Sequence, residues 1–459
     1  MVLDRERSSF RDPGGFVYFR DGELYRQINR SYGETWNDVV NSGLYDSLRA
    51  AGAIVPYEQI ELDLRADDDA VAVIKPKRLD FISYPYEWSF SRLKVAALHT
   101  LMIQREALNQ GFSLRDATAY NIQFERGKPI HIDSLSFERR KPSSPWIAYG
   151  QFCRHFLAPL ALQSCVDVSF GKMMQNHLDG YPLPFASRCL PSASRLNFGL
   201  LAHLHFHAKA TVSPRNAARN SARKVQVSSE AILGIVDSLE RTILKLKPPN
   251  RPSEWLDYYE DNSYDSEAFI RKQDIVRQML TQIGVRAKSV WDMGANTGVF
   301  SEIAAQLGAK VIAWDSDPNA VDAAFKKWSP NQHGIEALVQ DFSNPSPRLG
   351  WAESERKSFG DRRGADVVMA LALIHHLAIS NQVPFGNVAS WLGSLGRECV
   401  IEFVPKEDLQ VQRLLQARED IFVAYTEAEF EREFEGVFDL VERVPISGTG
   451  RIIYWWRRK

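Results

Sequence analysis

The sequence predicts an α/β fold for its C-terminal part, a doubly wound sheet, preceded by an α+β N-terminal region. Three observations carry this. From Pro252 onward short apolar strands alternate with amphipathic helical stretches, the order that builds a parallel sheet covered by helices. The first strand runs into a glycine-containing turn, Asp292-Met293-Gly294-Ala295-Asn296-Thr297-Gly298, and a helix follows at once. Acidic residues recur at strand ends, where open α/β sheets bind their ligands.

The elements follow in order. A strand over Ser289 to Trp291 delivers Asp292, and the helix Val299 to Leu307 opens after the turn. Glycines suit that turn because the chain must bend sharply and let a ligand approach the backbone. The helix start then offers unpaired N–H groups. A second strand, Lys310 to Trp314, ends at Asp315, beside the turn in such a sheet. A third, Ala337 to Val339, ends at Gln340-Asp341, and a fourth, Ala365 to Leu371, begins with Asp366. Helix Val388 to Leu395 leads to a strand over Glu398 to Val404. Phe438 to Val444 and Arg451 to Trp456 supply a closing antiparallel pair. The charged loop Ser346 to Gly364, with Trp351, Glu353, Glu355 and Arg356, reads as a lid or substrate loop or as a solvated insertion.

Asp292-Met-Gly294-Ala-Asn296-Thr-Gly298 resembles the first motif of class I S-adenosylmethionine-dependent methyltransferases, in the form where asparagine replaces the middle glycine. The resemblance covers about residues 253–459 and implies a Rossmann-like, seven-stranded methyltransferase sheet. It implies S-adenosylmethionine as cofactor. Gly294 and Gly298 would line its methionine part, with Asn296 in the same turn. Asp315 would hold the ribose diol, Asp341 the adenine amino group, and Phe342 would lie beside the ring. Asp292 would orient the turn or contact the methionine amine. The rival is a dinucleotide-binding domain, against which G-A-N-T-G lacks the G-x-G-x-x-G spacing.

Methyl transfer from a sulfonium is an in-line displacement, so a protein supplies alignment and, for a hydroxyl or ammonium acceptor, a base. His375 and His376 follow the fourth strand and are the candidate bases, His376 preferred, because imidazole titrates near neutral pH. Either could equally cap the strand end. The N/D-P-P-Y motif of amino and amide methyltransferases is absent, which favours an oxygen or carbon acceptor over a DNA adenine or glutamine; the acceptor expected is a small molecule or saccharide. Glu402 is a further polar group near the mouth. Upstream, Tyr258, Tyr259, Tyr264 and Lys272 form an aromatic, charged segment that either covers the cofactor and reaches its carboxylate or is a surface helix.

In the N-terminal part, Asp116 precedes Asn121 by five residues, and Asp133 follows at the end of an apolar strand, Pro129 to Ile132. Leu114-Arg115-Asp116 with Asn121, then Asp133-Ser134-Leu135, resembles the catalytic and metal-binding order of protein kinases and aminoglycoside phosphotransferases. Strand Ala70 to Ile74, the stretch Ile82 to Trp88 and helix Ser91 to Gln110 resemble a kinase hinge and its following helix. That resemblance implies ATP–magnesium at Asp116, Asn121 and Asp133. The sequence departs from it: no Gly-rich loop and no V-A-I-K occur, only Gly14-Gly15 and Tyr25-Arg26-Gln27-Ile28. The alternative is a substrate-recognition domain.

At 459 residues the chain is too long for one ordinary core. The expected boundaries are 1–207, a basic linker and connecting helix over 208–252, and 253–459. The linker, Ala208 to Ser229, carries Lys209, Arg215, Arg219, Arg223 and Lys224 with no acid, and helix Ser229 to Lys247 stops at the prolines after it. A net charge of −1 gives no global attraction to nucleic acid or anionic membrane. The scattered Cys153, Cys165, Cys189 and Cys399 fit a reducing compartment. With no secretory signal and no apolar span, a cytoplasmic protein is expected. His203, His205 and His207 lack a neighbouring carboxylate or cysteine, so no metal is expected. Three readings stand: a small-molecule methyltransferase, a phosphotransferase coupled to a methyltransferase, and a noncatalytic cofactor-sensing scaffold.

Overall fold

The computed structural model describes residues 3–141, 143–212, 227–249, 266–286, 288–329, 334–362, 364–416 and 419–459. They divide into two units. Unit 1 is Met1–Asn250 with Arg348–Arg356, and unit 2 is Arg251–Pro347 with Lys357–Lys459.

Unit 1 opens with five strands, β1 (Leu3–Arg5), β2 (Gly15–Arg20), β3 (Glu23–Asn29), β4 (Tyr57–Ile60) and β5 (Ala70–Pro76), in one antiparallel sheet ordered β1-β2-β3-β5-β4. Asp21 and Gly22, both at positive φ, make the two-residue turn between β2 and β3, as the twist of paired strands requires. Helices α1 (Arg30–Ser42) and α2 (Leu44–Ala50) intervene between β3 and β4. They bury Trp36, Val39, Tyr45 and Leu48 against Ile103 and Phe137. Helix α3 (Phe90–Asn109) is capped by Ser89, whose side chain accepts from Arg92 N–H.

Beyond it, β6 (Phe112–Leu114) pairs with β9 (Phe137–Arg139), and β7 (Ile122–Glu125) with β8 (Lys128–His131). Asp116 and Asn121 fall between β6 and β7, and Asp133 just after β8. Helix α4 (Ser229–Lys245) buries Ile232, Val236, Leu239 and Ile243, the stripe its periodicity predicts. It is part of unit 1 rather than a connector: Lys94 of α3 donates to the carbonyls of Leu244 and Leu246 at 2.8 Å, and Arg105 pairs with Asp237 and Glu240. The basic residues Arg215, Arg219, Arg223 and Lys224 lie outside the described residues.

Unit 2 is a seven-stranded α/β sheet. Strands β10 (Ser289–Met293), β11 (Lys310–Asp315), β12 (Ile335–Val339), β13 (Ala365–Ala370) and β14 (Gly396–Phe403) are parallel. Strands β15 (Phe438–Pro445) and β16 (Ile452–Arg458) close the sheet antiparallel, in the order β12-β11-β10-β13-β14-β16-β15. The parallel strands are buried along most of their length, as a sheet covered on both faces demands. Strand order reverses between β10 and β13, which opens a crevice at their carboxyl ends.

The sequence-placed strands fall within two residues of the observed ones at each end. One acid is misplaced by the sequence reading. Asp366 stands at the amino end of β13, where its carboxylate accepts the N–H and hydroxyl of Ser289 at 2.8 and 2.9 Å. It fastens two strand starts and is not at the ligand end. β15 is an edge strand with a bulge between Leu440 and Glu442.

Candidate functional site

The turn after β10 needs left-handed backbone at three places: Gly294 (φ 80°), Asn296 (φ 51°) and Gly298 (φ 83°). Each is fastened or crowded differently. The N–H groups of Gly294 and Ala295 both donate to the carbonyl of Trp314 on β11 at 2.9 Å. Asn296 N–H donates to Asp315 Oδ2 at 2.8 Å, and Asp317 N–H to Asp315 Oδ1 at 2.9 Å. A Cβ on Gly298 would come within 2.1 Å of the Trp328 ring. Gly298 is therefore demanded by helix–ring packing, and it does not line the cavity beside the turn.

That cavity has a volume of about 360 Å³, within the usual range for small-molecule sites. Of the residues the sequence singled out, Asp292, Gly294, Asn296, Asp315, Asp341, Phe342, His376 and Lys272 line it. His375 does not. It is fully buried, packs on His376 with ring centroids 4.2 Å apart, and neither ring nitrogen has a hydrogen-bond partner among the described residues. Residues not anticipated complete the wall: Phe269 and Phe300, Ser316 and Ser343, Leu371 to Leu373, Leu377, Ser380, Asn381 and Leu414. Ser316 and Ser343 could have been found, since each directly follows an expected ligand residue or its neighbour. Phe269 and Leu414 carry no sequence signal.

Three acids line the cavity. Asp341, Asp315 and Asp292 arrive from β12, β11 and β10, strands that lie side by side. Asp292 is 2% exposed and accepts from Ser301 Oγ at 2.6 Å. Burial pushes its carboxyl up to about 6. Burial likewise pushes Asp315 up to about 6, against the pull of the backbone N–H groups of Asp317 and Asn296. Each carboxylate oxygen has two acceptor sites, so Asp315 keeps acceptor capacity beyond the backbone bonds it makes.

A cation lines the cavity as well. Lys272, on helix α5 (Ser266–Ile283), is 3% exposed and pairs with Glu402 Oε2 at 2.6 Å. Glu402 is fully buried in β14, not at the mouth where the sequence suggested it, and Oε2 also accepts Ala372 N–H at 2.8 Å. Its other oxygen faces Arg451 at 3.5 Å, and Arg451 makes a two-pronged contact with Asp408 at 2.7 and 2.9 Å. Burial, then the charge of Arg451, lowers His376 to about 4, so its ring is neutral at pH 7. Tyr258, Tyr259 and Tyr264 lie outside the described residues.

In unit 1, Asp116, Asn121 and Asp133 do come together. Burial and then the charge of Asp133 raise the Asp116 carboxyl, opposed in part by hydrogen bonds from Thr118 N–H and the Asn121 and Gln151 side chains. Asp133 is held by Arg26 of β3 at 2.5 Å, by Ser136 Oγ at 2.5 Å and by Leu135 N–H at 3.1 Å. Burial alone would raise it, but Arg26 and these donors bring it down to about 2. Of the loop Ser346 to Gly364, expected as a lid or substrate loop or as a solvated insertion, the part Arg348–Arg356 is fastened within unit 1: Arg11 grips Glu355 at 3.0 and 2.6 Å, and Arg356 lies over the Tyr120 ring at 4.1 Å.

The three histidines of His203-Leu-His205-Phe-His207 are engaged in packing. His203 bridges Tyr149 and Ser238, and His205 bridges Ser187 and Ser194, at 2.8 to 2.9 Å. His207 stacks on Tyr149. Among the described residues no group of three or more His, Cys, Asp or Glu side chains could hold a metal ion, and no helix is long and apolar enough to cross a membrane.

No protein-family model matches the chain. Among solved structures, it is 19% identical to magnesium protoporphyrin IX methyltransferase from Synechocystis PCC 6803, over 45% of this chain and 93% of that one, with a TM-score of 0.32. It is 15% identical to the N-methyltransferase NodS from Bradyrhizobium japonicum WM9, over 42% and 99%, with a TM-score of 0.31. Likeness that distant assigns no activity. A curated protein is far nearer: the nodulation protein NoeA of Rhizobium meliloti (strain 1021) is 34% identical over 461 residues, covering 99% of this chain and 96% of that protein. On that end-to-end similarity, the chain belongs to the family of the nodulation protein NoeA.

Proposed function

We propose that unit 2 binds S-adenosylmethionine and transfers its methyl group to a small-molecule or saccharide acceptor, at oxygen or carbon. The observation that carries this reading is that Gly294 and Asp315, at the ends of the neighbouring strands β10 and β11, line one cavity beside the point where strand order reverses. The residues present suit such a ligand. Gly294 offers open backbone, since a Cβ there would meet only Leu373, at 3.5 Å. Asp315 has acceptor sites for a ribose diol, Asp341 and Phe342 flank the place of the adenine, and Asp292 lies near enough to the turn to take the ammonium. Lys272, which also lines the cavity, takes the carboxylate.

Bound there, the cofactor supplies an electrophilic methyl group on a sulfonium. The protein's share is alignment, exclusion of water by Phe269, Phe300 and Leu373, and removal of the acceptor's proton. His376 is the base: it lines the cavity and is neutral at pH 7. His375, outside the cavity, supports the ring of His376. Calorimetric titration of the full chain with S-adenosylhomocysteine tests the reading. Binding lost in Asp315→Ala is expected, and unchanged affinity would remove the site assignment.

A second reading concerns unit 1 alone, a kinase-like arrangement with nucleotide at Asp116, Asn121 and Asp133. What supports it is the meeting of these three residues. Titration with ATP–magnesium decides: no binding, or binding that survives Asp133→Ala, ends it.

A further inference from the structure

Two residues other than glycine hold a left-handed backbone on the wall of the cavity, Asn296 and Ala372, both at φ 51°. They stand on opposite sides of the crevice, Asn296 after β10 and Ala372 after β13. Each has its N–H held by a carboxylate from the next strand outward, at the same distance. Asn296 donates to Asp315 at the end of β11, and Ala372 to Glu402 in β14, both at 2.8 Å. Asparagine tolerates this conformation through its short polar side chain, whereas alanine has no such compensation. A disfavoured conformation persists only where its surroundings hold it, and a carboxylate accepting from an N–H is a strong hold.

Glu402 is equipped for that task. It does not line the cavity, it is fully buried, and Lys272 and Arg451 keep it among cations. What it holds does line the cavity: Ala372 itself, then Leu373, His376 and Leu377. We propose that Glu402 is a positioning residue for the reacting end of the cavity, fixing the Ala372 turn and through it the placement of Leu373 and His376, as the counterpart of Asp315 on the other side of the crevice. The inference rests on the methyltransferase reading and adds to it a residue that never touches the ligand.

The test replaces both members of the ion pair so that no charge is stranded. In Lys272→Met/Glu402→Gln an amide oxygen still accepts from Ala372 N–H; in Lys272→Met/Glu402→Met nothing does. The probe is 5′-methylthioadenosine, which lacks the amino-acid end, so that the loss of Lys272 itself drops out. Calorimetry on the full chain is expected to give the Met/Met variant about fivefold weaker binding than the Met/Gln variant, the scale of one lost hydrogen bond to a neutral acceptor. Adding Ala372→Gly to the Met/Met variant is expected to restore most of the affinity, because glycine adopts this φ unaided. A purely structural role would shift melting temperature without that rescue. Equal affinities in the two double variants, or no recovery with Ala372→Gly, would overturn the proposal. Should the Met/Met variant fail to fold, amide exchange in the unaltered chain decides. Strong protection of Ala372 N–H supports the hold, and exchange at the free-peptide rate refutes it. Absence of any 5′-methylthioadenosine or S-adenosylhomocysteine binding by the unaltered chain is a different outcome, which removes the methyltransferase reading and this inference with it.

Discussion

Asp315 accepts the N–H of Asn296, the residue that bends the turn after β10, so one carboxylate both shapes the turn and faces the cavity. The two tasks separate by substitution. Asp315→Asn keeps an oxygen that can accept from Asn296 and retains measurable affinity for S-adenosylhomocysteine. Asp315→Ala loses both tasks and weakens binding by about a hundredfold or more, the scale of two lost hydrogen bonds to a charged group. Isothermal titration of the two variants side by side reads the difference.

The glycines of the turn are predicted to fail in different ways. Gly298→Ala drives a methyl into the Trp328 ring in a left-handed conformation, and is expected to cost about 2–4 kcal/mol of stability. Gly294→Ala meets no such clash; it costs about 1–2 kcal/mol and weakens cofactor affinity because the methyl stands on the cavity wall. Urea denaturation and ligand titration of both variants should show stability dominating at Gly298 and affinity at Gly294.

Protonation gives a prediction of sign. His376 titrates at about 4 in the folded chain against an ordinary 6.5. The stability tied to its neutral ring is present above 6.5 and is lost as pH falls through 4, about 3 kcal/mol in all. Asp292 runs the other way. Raised from 3.8 to about 6, it contributes stability that is full below 3.8 and lost as pH rises through 6. The stability difference between His376→Gln and the unaltered chain should therefore change by about 3 kcal/mol between pH 7 and pH 4, and that for Asp292→Asn should change in the opposite sense. Chemical denaturation across this pH range tests both.

Arg26 and Asp133 form a largely buried pair, their side chains 11% and 16% exposed. Arg26→Met leaves the carboxylate without its cation and is expected to destabilise the chain by about 3–5 kcal/mol, whereas Arg26→Met/Asp133→Leu recovers much of the loss. A double-mutant cycle by urea unfolding measures the coupling, and a cycle that closes at zero would show the pair to be inert.

Much of unit 2 is legible in the sequence, for physical reasons that can be named. Strands buried on both faces read as short apolar runs, and the turn announces itself by glycines where the backbone is left-handed. Ligand-facing acids at strand ends are also legible, but which end is not: Asp366 looked like Asp315 in sequence and proved to fasten strand starts. Gly298 reads in sequence as a glycine placed for a ligand, whereas in the fold a Cβ there would meet the ring of Trp328, thirty residues downstream. The pair Lys272–Glu402 bridges 130 residues, and no local pattern encodes a partner so remote. In unit 1 the Asp116, Asn121 and Asp133 spacing led to residues that do meet, while the grip of Arg26 on Asp133 depends on strand pairing that spacing alone cannot supply.

The bulged outer strand β15 has a consequence for association. An outermost strand presents free N–H and C=O groups to any passing chain. Here that rail is interrupted by the irregularity at Leu440/Glu442, flanked by the charges of Asp439, Glu442 and Arg443, and ended by Pro445. Each of these discourages a foreign strand from zipping on, so this border of the sheet is guarded against the edge-to-edge growth that begins aggregation.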